Sequence, residues 1–162
     1  MINKLHLAMI NLYKGDAKRI QHFCKVHSYA KLIAESENVD RNTLYILEAA
    51  ALVHDIGIHC CEEKYGACTG KLQEKEGPAI AEKLLSELGF DEDVTGRVKY
   101  LVAHHHTYNN IEVMDYQILV EADFLVNIYE DELSEAAAEQ AYNNIFRTET
   151  GRRLCREMFG LR

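Results

Sequence analysis

Residues 51–60, ALVHDIGIHC, carry an apolar stretch straight into His54 and Asp55, followed closely by Gly57. An imidazole and a carboxylate are costly to bury unless each finds a partner. Two further polar residues interrupt apolar faces in the same way. His27 stands at helical spacing among Ile20, Phe23, Cys24, Ala30 and Ala34, and Asp123 ends the run ILVEA. Two neutral imidazoles and two carboxylates make a ligand set for one divalent cation. Mixed nitrogen and oxygen donors suit Mn, Fe, Co, Ni or Zn better than Mg. Successive helical residues point about 100° apart, so His54 and Asp55 can share an ion near a helix end. Gly57 gives the backbone freedom to turn away there and leave a coordination position open. Histidine pairs without a short fixed interval are a weak metal signal, and each residue also has a structural reading. For Asp123 that reading is a salt bridge to an arginine or a bond to a histidine.

The segment HHHTYNN, 104–110, supplies a second kind of chemistry. Histidines at a helix C-terminus are welcome as partial positive charge. His104 shares a face with Leu101 and is the first candidate to enter a cleft, with His105 next. Either one can bind a phosphate or protonate a leaving oxygen, since an ordinary imidazole titrates near about 6.5. Asp55, His104 and His105 are thus the candidate catalytic groups, and His27, His54, Asp55 and Asp123 the candidate metal ligands. His59, Cys60, Cys61 and Cys68 form a rival zinc set, but their spacing matches no C-x2-C knuckle. Lys64 or Lys71 in the same region could reach an anionic substrate. The chain contains no P-loop, no G-x-G-x-x-G and no G-x-S-x-G elbow.

The elements that must position these groups read as helices almost throughout, with no strand-like alternation. A short helix is expected over 3–12, and Asp16 caps a long one carrying His27. Asp40 caps the helix that ends on His54 and Asp55. The segment 56–72, with three glycines and mixed polarity, reads as a loop or broken turn. The helical pattern resumes at EGPAIAEKLLSELG, with Pro78 in a first turn and Gly89 as C-cap. Asp91 caps a helix towards His104, and DYQILVEADFLVNIYE is central by its apolarity. Ser134 is an N-cap without the capping-box glutamate, because Ala137 occupies that place. Closing helices are expected over 134–147 and 149–158.

The ordered set of a histidine, a His-Asp doublet and a distant aspartate resembles the HD-domain superfamily of metal-dependent phosphohydrolases. KVHSYAKLIA places His27 in the first position, LVHDIG gives the doublet, and ILVEADFLVN gives Asp123 as the last. The likeness runs over roughly residues 20–130, within a single HD-type helical domain spanning 1–162. It implies an all-α bundle, a divalent metal ion and hydrolysis of a small phosphorylated molecule, a nucleotide being one option. Members that bind two or three ions carry a further histidine four residues before the glycine matching Gly77. Here that place is Gln73, which implies a single ion. The glutamate that follows the doublet in some deoxynucleotide phosphatases is also lacking, since Ile58 and His59 follow Gly57. Two other classes stay open: a metal- and nucleotide-binding sensor without turnover, and a purely structural helical domain.

The bulk composition fits this frame. The 162 residues are 48% hydrophobic and 27% charged, enough for a sizeable apolar core. A net charge of −8 disfavours nonspecific binding to nucleic acid or anionic membranes. A divalent ion reverses the sign locally, so a phosphorylated ligand remains compatible. The five cysteines, Cys24, Cys60, Cys61, Cys68 and Cys155, are a poor disulfide framework. With no signal-peptide pattern at the N-terminus, they lead to the expectation of a cytoplasmic protein.

Overall fold

A computed structural model describes residues 1–162. Nine helices and no strand make up the chain: α1 Ile2–Leu12, α2 Ala17–Ser36, α3 Arg41–Val53, α4 Ile58–Tyr65, α5 Gly70–Leu88, α6 Glu92–His104, α7 Met114–Glu130, α8 Glu135–Asn144 and α9 Glu149–Phe159. Local chemistry sets most of the boundaries. The Asp16 side chain accepts from Arg19 N–H, Asp40 from Asn42 and Thr43 N–H, and Ser134 from Ala137 N–H, each satisfying a donor the first turn leaves free. Gly89 closes α5 at φ +82°, the left-handed conformation a C-cap requires. Asp91 precedes α6 but makes no side-chain cap bond.

Helix α3 is the centre of the bundle and packs against α1, α2, α6 and α7. Its residues Leu47 and Ala49–Val53 are fully buried, within a continuous core of 35 apolar residues. The stretch Arg41–Tyr65 is apolar and long enough by composition to cross a membrane. It is broken between α3 and α4 at residues 54–57, however, and most of it is buried against the other helices. Helices α2 and α3 run antiparallel around a tight turn at Asn38, so the start of α2 lies beside the end of α3. Arg19 accordingly reaches Glu62 at 2.5 Å and His59 reaches Asp16 at 3.1 Å.

Two expectations for the middle of the chain fail. Residues 58–65 form α4, closed by Gly66 at φ +71°, where a loop is expected. Helix α5 starts eight residues before Pro78, capped by the Thr69 hydroxyl, and the proline sits inside it. The proline removes one N–H bond from the helix and crowds the preceding turn, a cost set against the packing of α5 along α6. The glycines that read as breakers serve packing. A Cβ on Gly57 would lie 3.0 Å from Gly77 N, and one on Gly77 would lie 2.8 Å from Val102 Cγ1. Gly57 itself has an ordinary helical backbone, φ −76°, so its lack of a side chain matters here, rather than the backbone freedom expected of it. This close approach of α4 to α5 and α6 fixes the chain just after the His-Asp doublet.

Candidate metal centre

His54 ends α3 and is fully buried, with Asp55 following in the break. Asp123, 3% exposed, projects from the middle of α7. The third element, α2, contributes His22, not His27. The two histidines are five residues apart, which turns them about 140° from one another around the helix. His22 faces the end of α3, whereas His27 bonds Glu48 in mid-α3 at 3.0 Å and packs beside His6 of α1. The antiparallel hairpin carries a signal for this register: His22 and His54 stand equally far along the chain from Asn38 in the turn. His27 and Glu48 pair closer to it.

The polar atoms converge closely. His22 Nε2 lies 3.2 Å from His54 Nε2, 3.2 Å from Asp123 Oδ1 and 3.4 Å from Asp55 Oδ2. His54 Nε2 lies 3.5 Å from Asp55 Oδ2 and 3.6 Å from Asp123 Oδ1. Ligands bonded at about 2.0–2.2 Å to one ion sit roughly 3.0–3.5 Å from each other, so these separations are those of a coordination shell. The other ring nitrogens are committed elsewhere. His54 Nδ1 donates to the Ala51 carbonyl at 2.9 Å, and His22 Nδ1 meets Glu130 Oε2 at 2.8 Å. Acceptors on Nδ1 hold that proton and leave Nε2 as a bare lone pair in the neutral ring. Lys25, 2.7 Å from Glu130 Oε1, fixes the carboxylate that orients His22.

No lysine or arginine lies within 4 Å of Asp55 or Asp123; their charged partners are all histidines, His22 and His54 for both and His105 for Asp55. Asn127 Nδ2 donates to Asp123 at 2.9 Å and is its only amide partner. Protons then stand in for the cation. Burial pulls the His54 imidazole down, but Asp55 and Asp123 reverse this and raise its pKa to about 9. Burial pushes Asp55 up, and His54 and His105 together bring it down to about 2. Asp123, burial notwithstanding, is held well below the carboxylate range by His22 and His54.

A second group adjoins the first through Asp55. His105 Nε2 is 3.3 Å from Asp55 Oδ1, and Asp55, His105 and His106 offer ligand atoms close enough for an ion. His105 is buried, its Nδ1 faces the Val102 carbonyl at 2.8 Å, and its Nε2 has no hydrogen-bond partner. That orphaned lone pair beside a carboxylate oxygen fits a cation as well. On α6, Val98, Leu101 and Val102 form one inward face, which His105 continues at the same helical spacing. His104 instead stacks on Tyr100, ring centroids 4.2 Å apart, and is absent from both groups. Gln73 Oε1 lies 3.0 Å from His106 Nε2, so its amide competes for that nitrogen.

The cysteine-rich segment assembles no such group. His59 turns to Asp16, Cys60 Sγ is 3.8 Å from Glu76, Cys61 is buried, and none of them joins a three-ligand cluster. Lys64 bonds Glu76 at 2.5 Å, and Lys71 is exposed.

An all-helical bundle that brings histidines and aspartates from α2, α3, α6 and α7 to one point defines the class. The sequence matches the model of the HD domain over residues 19–142, and the chain belongs to that family. Among solved structures it is similar to a predicted HD superfamily hydrolase from an uncultured Thermotogales bacterium. The TM-score is 0.69 at 26% identity, and the alignment covers 98% of this chain and 84% of that one. No curated protein matches the sequence.

Proposed function

We infer that this HD-domain chain is a metal-dependent phosphohydrolase acting on a small phosphorylated molecule. The observation that carries the reading is the meeting of His22 Nε2, His54 Nε2, Asp55 Oδ2 and Asp123 Oδ1 at ligand–ligand spacing with no lysine or arginine among them. Those four residues would hold one divalent transition-metal ion, and the chemistry it would supply is charge that polarises a phosphoryl oxygen and acidifies water. Asp55, His105 and His106 would hold any further ion, and Gln73 would bind it weakly, offering only a neutral amide.

The chain's own groups complete the chemistry. Asp55 is the most accessible of the four, its side chain 22% exposed, and it lines a cleft of about 190 Å³ with His22, Arg19 and Asn127. It orients the attacking water and takes its proton. Water's oxygen joins phosphorus, the bond from phosphorus to the leaving oxygen breaks, and the proton passes to the leaving group. His105, next to Asp55 Oδ1, is placed to deliver it when its Nε2 holds no ion; His104, turned away onto Tyr100, is not. Glu130 keeps His22 in the right tautomer.

Turnover of metal-reconstituted protein on a panel of phosphoesters and nucleotides tests the assignment. Phosphate release that depends on added metal is expected. Saturable metal and nucleotide binding with no release from any substrate would overturn it in favour of a sensor.

A further inference from the structure

Asp55 faces both groups of ligands at once, with Oδ2 towards His22 and His54 and Oδ1 towards His105. Apart from those imidazoles nothing holds its carboxylate: no amide, hydroxyl, lysine or arginine bonds it. Its side chain is also 22% exposed, against 4% for Asp123. The aim of this carboxylate is therefore set by its backbone, which lies in the break between α3 and α4.

That backbone is held from two directions. Within the break, the Asp55 carbonyl accepts from Ile58 N–H at 3.1 Å. From outside, it accepts from the Tyr13 hydroxyl at 2.9 Å, and no other side chain bonds the backbone of residues 54–58. Two donors on one carbonyl fill its two lone pairs and fix the peptide plane that follows Asp55. Helix α3 fixes the chain on the other side of the residue, so the direction of its Cα–Cβ bond is fixed as well.

The tyrosine is delivered by the build of α1. Leu5, Met9 and Tyr13 recur at every fourth residue, form the buried edge of the helix and its end, and are each at most 2% exposed. The Tyr13 carbonyl accepts from Asp16 N–H at 2.8 Å. Its ring lies 4.2 Å from that of His59 on α4 and 6.2 Å from that of Phe23 on α2. Neighbours on α2 and α4 thus hold the ring, and the hydroxyl is left a single partner. Burial and the charge of Asp55 raise the Tyr13 pKa well above that of an ordinary tyrosine, so the group stays a neutral donor.

We propose that Tyr13 is a positioning residue for the metal centre: its hydroxyl, by holding the Asp55 carbonyl, keeps the Asp55 carboxylate where its two oxygens face the two groups of imidazoles. The inference rests on the hydrolase reading above and adds a residue of α1 to a centre whose groups come from α2, α6, α7 and the end of α3. Without the hydroxyl the carbonyl keeps its bond from Ile58, so the fold persists. The peptide plane regains freedom to rock, and the carboxylate leaves the position its ligand role requires.

Tyr13→Phe removes the hydroxyl and keeps the ring. The probe is Co2+, whose visible absorption reports the geometry of its ligands, titrated into the full chain after treatment with a chelator. Phe146→Leu is the control, since Phe146 is fully buried in the α8–α9 connection and its truncation reports lost stability alone. Both variants should melt about a few degrees below wild type. Tyr13→Phe should bind Co2+ about tenfold more weakly, the scale of losing a group that orients a ligand, and its visible bands should shift. Phe146→Leu should do neither. On a phosphoester, metal-saturated Tyr13→Phe should lose about tenfold in kcat at unchanged KM, because Asp55 handles the attacking water. Wild-type affinity and bands in Tyr13→Phe, or an equal weakening in Phe146→Leu, would overturn the positioning role while the hydrolase reading stands. Weaker binding and shifted bands confined to Tyr13→Phe, in a protein that releases no phosphate from any substrate, would support the positioning role and remove the hydrolase reading.

Discussion

Helix α7 buries two carboxylates two residues apart, Glu121 and Asp123, and their surroundings are opposites. Glu121, fully buried, accepts from Arg147 N–H at 2.6 Å, Thr148 N–H at 2.9 Å, the Thr148 hydroxyl at 2.5 Å and Gln117 Nε2 at 2.7 Å. Gly151 packs so closely that a Cβ there would sit 2.0 Å from Glu121 Oε2. Donors meet every side of this carboxylate, so it ties the α8–α9 connection to the core and needs nothing more. Asp123 has one amide and two imidazoles whose Nδ1 protons point elsewhere. Four acceptor atoms meet around it, and only protons or a cation can compensate them. A buried charge met by fixed backbone and side-chain donors ties the fold together, whereas one met by imidazoles, whose protons a cation can replace, suits a binding site.

The largest expected effect comes from breaking the second kind of site. Asp55→Asn keeps the size but removes the charge, and phosphohydrolase activity should fall by more than about 100-fold, beyond the loss typical of an outer-sphere partner. The far-UV spectrum should be unchanged. In metal-free protein His54 and His105 hold the Asp55 pKa down to about 2, so removing its charge should lower the melting temperature by about a few degrees. Excess divalent metal should then stabilise wild type but not the variant. Undiminished turnover at equal metal occupancy would remove Asp55 from the mechanism.

Glu121→Gln attacks the first kind. Putting an amide N–H against donors should cost about 2–3 kcal/mol, a drop of roughly 4–12 °C in melting temperature at this chain length. Metal content per folded chain should stay the same. A loss of metal at unchanged stability would erase the contrast between the two carboxylates.

Glu130→Gln sharpens the boundary, because Glu130 touches the centre only through His22. Metal affinity should weaken by about 10–100-fold, read by competition with a chelator, while the metal-free chain unfolds near its wild-type temperature. An unchanged affinity would show that His22 needs no partner to hold its tautomer.

The smallest effect is a pH dependence. In metal-free protein His54 titrates near 9, above the ordinary histidine value of 6.5. The stability this proton contributes is full below pH 6.5 and is lost as pH rises towards 9. Metal must displace the same proton, so affinity should rise by up to about tenfold per pH unit between 7 and 9. Metal-free protein should lose stability across that window and metal-loaded protein should not. Affinity independent of pH would mean that His54 is already neutral without the ion.

The sequence by itself determined what depends on a few neighbouring residues. Most of the helices follow from apolar periodicity, and the caps at Asp16, Asp40, Ser134 and Gly89 follow from bonds that close within a turn. His54, Asp55 and Asp123 stood out because a polar group inside an apolar run needs a partner wherever the run folds. Tertiary structure decided the rest. It chose His22 over His27 through the register of an antiparallel hairpin, and His105 over His104 through the inward face of α6. Glycines that read as breakers became contact points between α4, α5 and α6, which permitted helix on both sides of Gly66. Glu121 interrupts the same apolar run as Asp123, but three of its four donors come from residues 147 and 148, one helix further along the chain, where no local pattern points. Local propensity is fixed by covalent neighbours, but which polar atom meets which is fixed by packing, and packing alone separates a carboxylate ringed by fixed donors from one that meets imidazoles.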